Sequence, residues 1–161
     1  MRGIEIRRGT KSDSEQLLRL LVSLAKFEQL DPPTPEARKR IVDDIFSKKR
    51  LGLFVAAKGE KLFGYALYFY TYSSFLARPT LYLEDLFVLS RYRRQGVGFA
   101  LFRRCVDEAM GQGCGRMEWA VLTWNEKALQ FYEKLGARRL SDWQTYRLDQ
   151  KALRRVPKEI K

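Results

Sequence analysis

A pair of carboxylates and a basic, glycine-containing turn flank one short apolar stretch of this sequence. Glu84 and Asp85 come first, and Arg93-Arg94-Gln95-Gly96-Val97-Gly98 follows the apolar run. A turn that opens a helix leaves backbone N–H groups unpaired at the positive end of the helix dipole, where an anion is favoured. Arg93 and Arg94 add positive charge at the same place. The pattern predicts a phosphate-binding site close to a carboxylate that can accept a proton.

Glu84 is the candidate for the group that accepts this proton. Histidine is absent from the sequence, which excludes Ser-His-Asp and Cys-His catalysis and histidine metal sites. The base must therefore be Asp, Glu, Tyr, Lys or a bound water. A regular strand directs Glu84 and Asp85 to opposite faces, so both can approach one atom only if a bulge intervenes. A strand carboxylate more commonly faces solvent or an ion-pair partner, and this alternative stays open.

The glycine pattern alone is not specific for phosphate. Gly96-Val97-Gly98 lacks the third glycine of the dinucleotide fingerprint, since Leu101 stands in its place, and no Gly-Lys-Ser/Thr follows as in a P-loop. A tight turn that uses glycine only for its geometry explains the residues equally well. The position between a strand and a helix, with arginines at the junction, is what favours an anion site.

Hydrophobic periodicity predicts the elements that position these residues. We expect strands over 3–7, 51–57, 61–72, 81–89, 116–122 and 137–148, and helices starting near Ser12 and Thr34-Pro35, over 96–110, and from Asn125 to Leu135. Ser12 and Glu15 fit a capping box, and Lys58-Gly59-Glu60 fits a hairpin turn. The strand over 81–89 is apolar on both faces for much of its length, which predicts a central position. The fold class is α+β (mixed α/β).

Length and composition predict a globular chain. The 161 residues suit one domain, which we place at 1–150, followed by a basic tail at 151–161. No apolar run approaches the ~20 residues of a membrane span, and the first residues lack the apolar region of a signal peptide. Cys105 and Cys114 stand far apart without metal or redox spacing, which favours a reducing, cytoplasmic location and no membrane partner.

The net charge of +12 permits two interpretations. The basic residues fall in short clusters, which is typical of solvated helix faces and turns. They could also create a field that attracts a nucleotide cofactor or a nucleic acid. No nucleic-acid motif with interleaved aromatic residues accompanies the charge, so nucleic acid is not the expected partner.

Several segments together resemble a known family. Arg93-Arg94-Gln95-Gly96-Val97-Gly98 resembles the Arg/Gln-x-x-Gly-x-Gly/Ala signature of the GNAT superfamily of N-acetyltransferases. Further segments are similar to the spermidine/spermine and thialysine N-acetyltransferase branch, in the same order over nearly the whole chain: Leu24-Ala25-Lys26-Phe27-Glu28, Gly64-Tyr65-Ala66, Thr71-Tyr72, Tyr82-Leu83-Glu84-Asp85, Trp124-Asn125-Glu126 and Phe131-Tyr132-Glu133-Lys134-Leu135-Gly136-Ala137.

The resemblance implies a fold and a co-substrate. It implies a single-domain fold with a central, mostly antiparallel, twisted sheet of about six to seven strands flanked by about four helices. The co-substrate is acetyl-CoA, and no metal is expected. In the family the loop amides hold the pyrophosphate of coenzyme A, and strand backbone groups meet the pantetheine and the acetyl oxygen. The cofactor-binding residues implied here are Leu86, Phe87, Val88, Arg93, Arg94, Gln95, Gly96, Val97, Gly98, Phe99, Asn125, Glu126, Lys127 and Ala128.

The resemblance also implies catalytic and substrate-binding residues. The glutamate matching Glu84 deprotonates the amine through water, and the tyrosine matching Tyr132 protonates or hydrogen-bonds the departing thiolate. By pattern alone Tyr132 is an ordinary core aromatic, and the helix-capping role of Asn125 would explain that residue by itself. The substrate-binding residues implied are Phe27, Glu28, Glu84, Asp85, Glu118, Trp119 and Ala120.

Departures from the family pattern favour a short acceptor. Ser73-Ser74-Phe75 occupies the loop where polyamine acetylases carry Asp-Pro-Trp, and the region around Asp142 lacks their paired glutamates. Fewer carboxylates attract a long polycation less, so we expect a diamine or a thialysine-like or lysine-like amino acid rather than spermidine. Cys105 fits a core position, which favours direct attack without an acyl-enzyme. The family implies a homodimer.

Two other functions remain open on the sequence. The acceptor could be a protein lysine or a protein N-terminus. The chain could also be a nucleic-acid-binding or regulatory module that keeps the fold without catalysis.

Overall fold

A computed structural model describes residues 3–159. Met1 and Arg2 of the expected domain, and Ile160 and Lys161 of the expected tail, lie outside these residues. Within the described part the chain forms five strands and five α-helices, in the order β1 (Glu5–Arg8), α1 (Ser14–Glu28), α2 (Pro35–Phe46), β2 (Gly52–Lys58), β3 (Lys61–Ser73), β4 (Arg78–Val88), α3 (Val97–Gly111), β5 (Arg116–Glu118), α4 (Glu126–Lys134) and α5 (Gln150–Leu153). The predicted α+β class is confirmed.

The strands form one sheet in the order β1-β2-β3-β4-β5. The first three pairings are antiparallel, and β4 pairs with β5 in parallel over Thr80–Tyr82. β4 therefore lies between β3 and β5, in agreement with its apolar sequence. The hairpin between β2 and β3 is also confirmed, with Lys58 opposite Lys61 and Gly59 at φ +57°, a conformation that glycine adopts without strain.

The sheet has five strands among the described residues instead of the six to seven expected. The predicted strand over 116–122 is shortened to Arg116–Glu118, and the one predicted over 137–148 is wrong: the described residues after Glu118 contain no strand. Trp143 and Tyr146 in that stretch are 77% and 87% exposed. Alternation of residue types makes a strand only where one face is buried against other residues, and this stretch buries little.

The start of the first helix also differs from the prediction. Ser12 and Glu15 do not form the expected capping box, because the chain turns earlier, at Thr10. The Asp13 carboxylate accepts hydrogen bonds from the Thr10 N–H at 2.8 Å and from the Arg7 guanidinium at 2.7 and 2.9 Å. A short 3₁₀ turn over Lys11–Asp13 precedes α1 as a result.

The caps of α2 and α4 agree with the sequence. The Thr34 hydroxyl accepts a hydrogen bond from the Ala37 N–H at 3.3 Å, and Pro35 occupies the first turn of α2. The Asn125 side chain accepts one from the Ala128 N–H at 3.3 Å at the start of α4.

α1 and α3 cover opposite faces of the sheet. α1 buries its leucines against alternate residues of β2, β3 and β4, in a cluster that includes Leu17, Leu20, Leu24, Leu53, Val55, Tyr65, Leu67 and Phe87. α3 buries Val97, Leu101, Phe102, Cys105 and Ala109. Arg104 of α3 lies over the ring of Phe54, which belongs to the other alternate set of β2. The position of Cys105 in the core agrees with the sequence.

Residues up to Ala120 and residues from Val121 onward form two compact units. The first unit contains β1–β5 and α1–α3, and the second contains α4 and α5. Each unit is described by itself below. Within residues 3–159 no helix combines the length and the apolar character that crossing a membrane requires.

Candidate active site

A bulge in β4 changes the direction of the two strand carboxylates. Asp85 lies opposite Leu67 and Leu83 lies opposite Tyr68, so Glu84 is an extra residue without a partner on β3. The bulge therefore keeps Asp85 on the face that α1 covers while releasing Glu84 from strict alternation. Glu84 is exposed and Asp85 is half-buried. This bulge is the irregularity that would allow both carboxylates to approach the same atom.

The Asp85 carboxyl group lies in surroundings that disfavour its charged form. Burial raises its pKa to about 6. A hydrogen bond from the Tyr65 hydroxyl to Asp85 Oδ2, at 3.0 Å, acts in the opposite direction, while the negative charges of Glu84 and Glu28 raise the pKa further. Asp85 thus titrates closer to neutral pH than an ordinary aspartate.

Glu28 joins these residues from the C-terminal end of α1. Burial raises its pKa, and the Glu84 charge adds to the effect. The structure therefore brings three of the predicted substrate-binding residues, Glu28, Glu84 and Asp85, within range of mutual repulsion; we call them the carboxylate cluster. Three like charges at one place disfavour one another and favour a cation. Phe27 lies beside the cluster on α1, where it contacts Arg93.

The turn before α3 has the features of an anion site. Its N-cap residue is Gly96, at φ +78°, so no side chain caps the helix and the first-turn N–H groups have no partner within it. Arg94 is exposed and adopts φ +59°. The Gln95 side chain donates to the Arg91 carbonyl at 3.0 Å and closes the turn. Gly98 and the exposed Phe99 follow in the first turn of α3.

The Arg93 side chain contacts groups at the ends of α1 and β4. Its Nε donates to the Val88 carbonyl at 2.8 Å, and its guanidinium carbon lies 4.6 Å from the ring centroid of Phe27 and 5.6 Å from that of Phe87. Burial lowers its pKa. The Arg93 side chain therefore links the ends of α1 and β4, and Arg94 is the exposed arginine of the pair.

The end of β4 has an open edge. β5 pairs only with Thr80–Tyr82, so on that side Leu86, Phe87 and Val88 have no strand partner among the described residues. The N–H and C=O groups of an unpaired strand edge are strong hydrogen-bonding groups that can pair with another chain or ligand. The edge can therefore accept an extended ligand that carries amide groups.

The remaining first-unit candidates follow β5. Glu118 forms an ion pair with Arg116, with Nε and Oε1 2.9 Å apart, and its charge raises the pKa of Tyr82 after the larger effects of burial and of Glu84. Trp119 packs edge-to-face on Phe102, with ring centroids 5.4 Å apart. Ala120 is exposed. Glu118 thus lies close enough to Tyr82 to raise its pKa, as Glu84 of the carboxylate cluster also does.

The second unit carries the other predicted residues on α4. Asn125 caps the helix, Glu126 and Lys127 are exposed in its first turn, and Ala128 donates to the cap. Tyr132 is half-buried, and its ring lies edge-to-face with Phe131, with centroids 5.1 Å apart.

Tyr65 is a site residue that sequence reasoning did not identify. Its contact with Asp85 depends on the register of β3 against β4, which places Tyr65 opposite Phe87. No spacing in the sequence specifies that register. Within residues 3–159 no group of three or more His, Cys, Asp or Glu side chains is arranged to hold a metal ion.

The sequence model of the Acetyltransferase (GNAT) family matches residues 16–137 of this chain. A thialysine N-epsilon-acetyltransferase of Caenorhabditis elegans is 32% identical over 99% of this chain and 100% of that protein. An L-ornithine N5-acetyltransferase of Arabidopsis thaliana is 41% identical over 95 residues, which are 59% of this chain and 42% of that protein.

Solved structures share the fold as well. An integron cassette protein from the mobile metagenome of V. cholerae has a TM-score of 0.81 at 23% identity, over 98% of this chain and 99% of that one. At this level of identity the likeness concerns the fold alone.

Proposed function

This chain belongs to the Acetyltransferase (GNAT) family, and we propose that it transfers the acetyl group of acetyl-CoA to a primary amine of a small molecule. The observation that carries the proposal is the arrangement within the first unit. An uncapped helix start, an open strand edge and a bulge that exposes a glutamate lie along one continuous segment, from Glu84 to Val97.

The first-unit residues fit coenzyme A. The N–H groups around Gly96, Val97 and Gly98 would hold the diphosphate, with Arg94 adding charge and Gln95 closing the turn. The open edge at Leu86–Val88 would pair with the amides of the pantetheine arm. When bound, acetyl-CoA supplies an acetyl group on an activated thioester.

Glu84 is the proposed base. An alkyl ammonium group has a pKa near ~10.4 and must lose its proton before its nitrogen can attack a carbonyl carbon. The exposed Glu84 carboxylate accepts this proton, directly or through a water molecule, and the bulge gives it access to solvent. The freed amine then attacks the thioester carbonyl carbon, and the carbon–sulfur bond breaks so that coenzyme A leaves as the thiolate. The extra proton on the attacking nitrogen passes to solvent or to the departing sulfur. Cys105 is a buried residue of α3 and takes no part.

Tyr132 of the second unit is the proposed partner of the departing thiolate. A phenol, with a pKa near ~10, is a weaker acid than a thiol, with a pKa near ~8.5. Full transfer of the phenol proton to the thiolate is therefore unfavourable, and the proposed role of Tyr132 is mainly to donate a hydrogen bond to the thiolate. Asn125, Glu126, Lys127 and Ala128 at the start of α4 complete the proposed cofactor contacts.

The proposed acceptor is short and carries a second amino group. The named acceptors of the relatives, thialysine and L-ornithine, each have two amino groups. Glu28 and Asp85 of the carboxylate cluster provide negative charge for the group that does not react, with Phe27, Glu118, Trp119 and Ala120 as the other proposed contacts. Longer polyamines are the weaker candidates.

We also propose a homodimer in a reducing, cytoplasmic compartment. Cys105 and Cys114 are both free thiols, as such a compartment maintains. Light scattering of the purified protein tests the dimer.

The function is tested with a panel of acceptors. Free thiol released from acetyl-CoA is measured with ornithine, lysine, thialysine, short diamines, spermidine and a lysine-containing peptide. We expect the highest kcat/KM for the short diamino compounds. Preference for the peptide would support a protein acceptor instead, and no release with any amine from folded protein would refute the proposal.

A further inference from the structure

The hydroxyl group of Tyr65 is fixed within the core. The side chain is 0% exposed and belongs to the cluster beneath α1. Tyr65 lies opposite Phe87 on β4, so Asp85, two residues earlier on the same face, is its diagonal neighbour. The hydroxyl donates to Asp85 Oδ2 at 3.0 Å. Burial raises the pKa of Tyr65 well above its usual range, so the hydroxyl stays protonated and remains a donor.

Asp85 depends on this donor. Glu28 faces it from α1 and Glu84 adjoins it in β4, and both oppose its negative charge. Arg93, from the turn before α3, is engaged with aromatic rings and the Val88 carbonyl instead. The Tyr65 hydrogen bond is therefore the interaction that stabilises the Asp85 carboxylate and sets its direction.

This inference rests on the proposed function and deepens it. We propose that Tyr65 is a positioning residue whose hydroxyl holds the Asp85 carboxylate ready for the second cationic group of the acceptor. A diamine or diamino acid supplies such a group, and a monoamine of equal length does not. Tyr65 thereby favours dicationic acceptors without touching them. Among the described residues no hydrogen bond to Asp85 Oδ1 is found, and this is the atom that would contact the cation.

Two matched acceptors test the proposal. In 1,4-diaminobutane and n-pentylamine the reacting amine is the same, and a methyl group in the second replaces the distal ammonium group of the first. Tyr65→Phe keeps the buried ring and removes only the hydroxyl. We expect kcat/KM for the diamine to fall roughly tenfold, chiefly through KM, since a hydrogen bond to a charged group is lost. For n-pentylamine we expect a change below about twofold.

The control removes a hydroxyl from the opposite face of the same strand. Tyr68 is equally buried, and its hydroxyl accepts from Arg8 at 3.2 Å. Tyr68→Phe should alter neither acceptor selectively. Asp85→Asn is a second test of the same contact and should reproduce the selective loss of the diamine.

The pH profile separates positioning from general damage to the fold. The wild-type kcat/KM for the diamine should fall below about pH 6, where Asp85 becomes protonated. Tyr65→Phe removes a hydrogen bond to the carboxylate, so this limb should move to higher pH by about one unit. The limb for n-pentylamine should not move.

The outcomes distinguish a failure of this inference from a failure of the proposed function. If the wild-type protein releases thiol with neither amine, the proposed function fails. If the wild type acetylates both amines and Tyr65→Phe reduces both equally, or neither, Tyr65 does not position Asp85 for a second cation while the function stands.

Discussion

Glu84 occupies the one position of β4 that the pairing with β3 leaves without a partner. A general base must reach both the amine and the solvent that carries the proton away, and a bulged, exposed residue meets that requirement. Asp85, one residue further, is instead tied to Tyr65 at 3.0 Å. One extra residue in the strand thus places two adjacent carboxylates in different surroundings.

Glu84→Gln tests the base. Without the carboxylate, the amine must lose its proton to bulk solvent, so we expect kcat/KM to fall roughly a hundredfold at neutral pH. The deficit should shrink as the pH approaches the amine's own pKa near ~10.4. The measurement is a pH series of thiol release, with Glu60→Gln in the exposed β2–β3 turn as the control. A deficit of equal size at every pH would assign Glu84 to binding rather than to proton transfer.

Arg93 and Arg94 provide a second matched pair. Arg94 is exposed in the turn proposed to hold the diphosphate, so Arg94→Met should weaken acetyl-CoA binding roughly fivefold and reduce its dependence on salt. Arg93→Met removes the hydrogen bond to the Val88 carbonyl and the stacking on Phe27, which should lower the free energy of unfolding by about 1–2 kcal/mol.

Titration calorimetry at two salt concentrations distinguishes these roles. Arg93→Met should leave the salt dependence of acetyl-CoA binding unchanged. If it removes as much salt dependence as Arg94→Met does, the Arg93 side chain contacts phosphate directly.

At the level of single residues, the sequence could identify which residue types are able to act but not where their side chains point. Glu84, Asp85 and Glu28 follow from chemistry and resemblance, and the structure brings them together. Arg93 and Arg94 are indistinguishable in sequence, yet one stacks on Phe27 and the other faces solvent. That difference depends on where α1 ends relative to β4, which no local pattern encodes.

Among the elements, β1 and the start of α1 are joined by an ion pair. The Arg7 guanidinium holds the pKa of Asp13 at about 2, below the ordinary 3.8, with help from Thr10. Because the folded pKa is the lower one, the stabilisation is complete above about pH 4 and is lost as the pH falls to about 2. The shift corresponds to about 2 kcal/mol.

Asp13→Asn should therefore lower the free energy of unfolding by about 2 kcal/mol at pH 7, and by less at pH 3. Urea denaturation at both pH values measures this. Asp43→Asn is the control, because its partner Lys48 forms an exposed pair of little consequence. An Asp13→Asn deficit that does not shrink at low pH would mean that the ion pair is not its cause.

The elements themselves were predictable where their signals are local. The apolar spacing of α1 to α4, the Thr34 and Asn125 caps and the Gly59 turn are all found. The Ser12 cap was wrong because a partner on β1, Arg7, draws Asp13 into the turn. The strand over 137–148 was wrong because alternation needs a partner strand and a buried face, neither of which is written in the segment itself.

For the whole molecule, binding of acetyl-CoA should raise the melting temperature. At a ligand concentration 100 times Kd the stabilisation is about 2.7 kcal/mol. For a chain of this size that corresponds to roughly 5–10 °C. S-acetylpantetheine, which lacks the diphosphate, should raise it much less if the turn before α3 supplies the main contact.

The same measurement of melting temperature tests whether the net charge of +12 serves to bind a nucleic acid. A nucleic-acid-binding module would respond to an RNA oligonucleotide, and the response would weaken steeply with salt. A shift with RNA and none with acetyl-CoA would contradict the proposed site.

The most direct test of the account is a single-turnover mass balance. Protein in excess over acetyl-CoA is mixed with ornithine and quenched at intervals, and mass spectrometry follows the acetyl group on the amine and on the protein. Direct transfer beside Glu84 predicts that free coenzyme A and acetylated amine appear together, in equal amounts, with the protein never acetylated on the pathway. An acetyl group that first accumulates on the protein, or acetyl-CoA that stays intact with folded protein and amine, would contradict it.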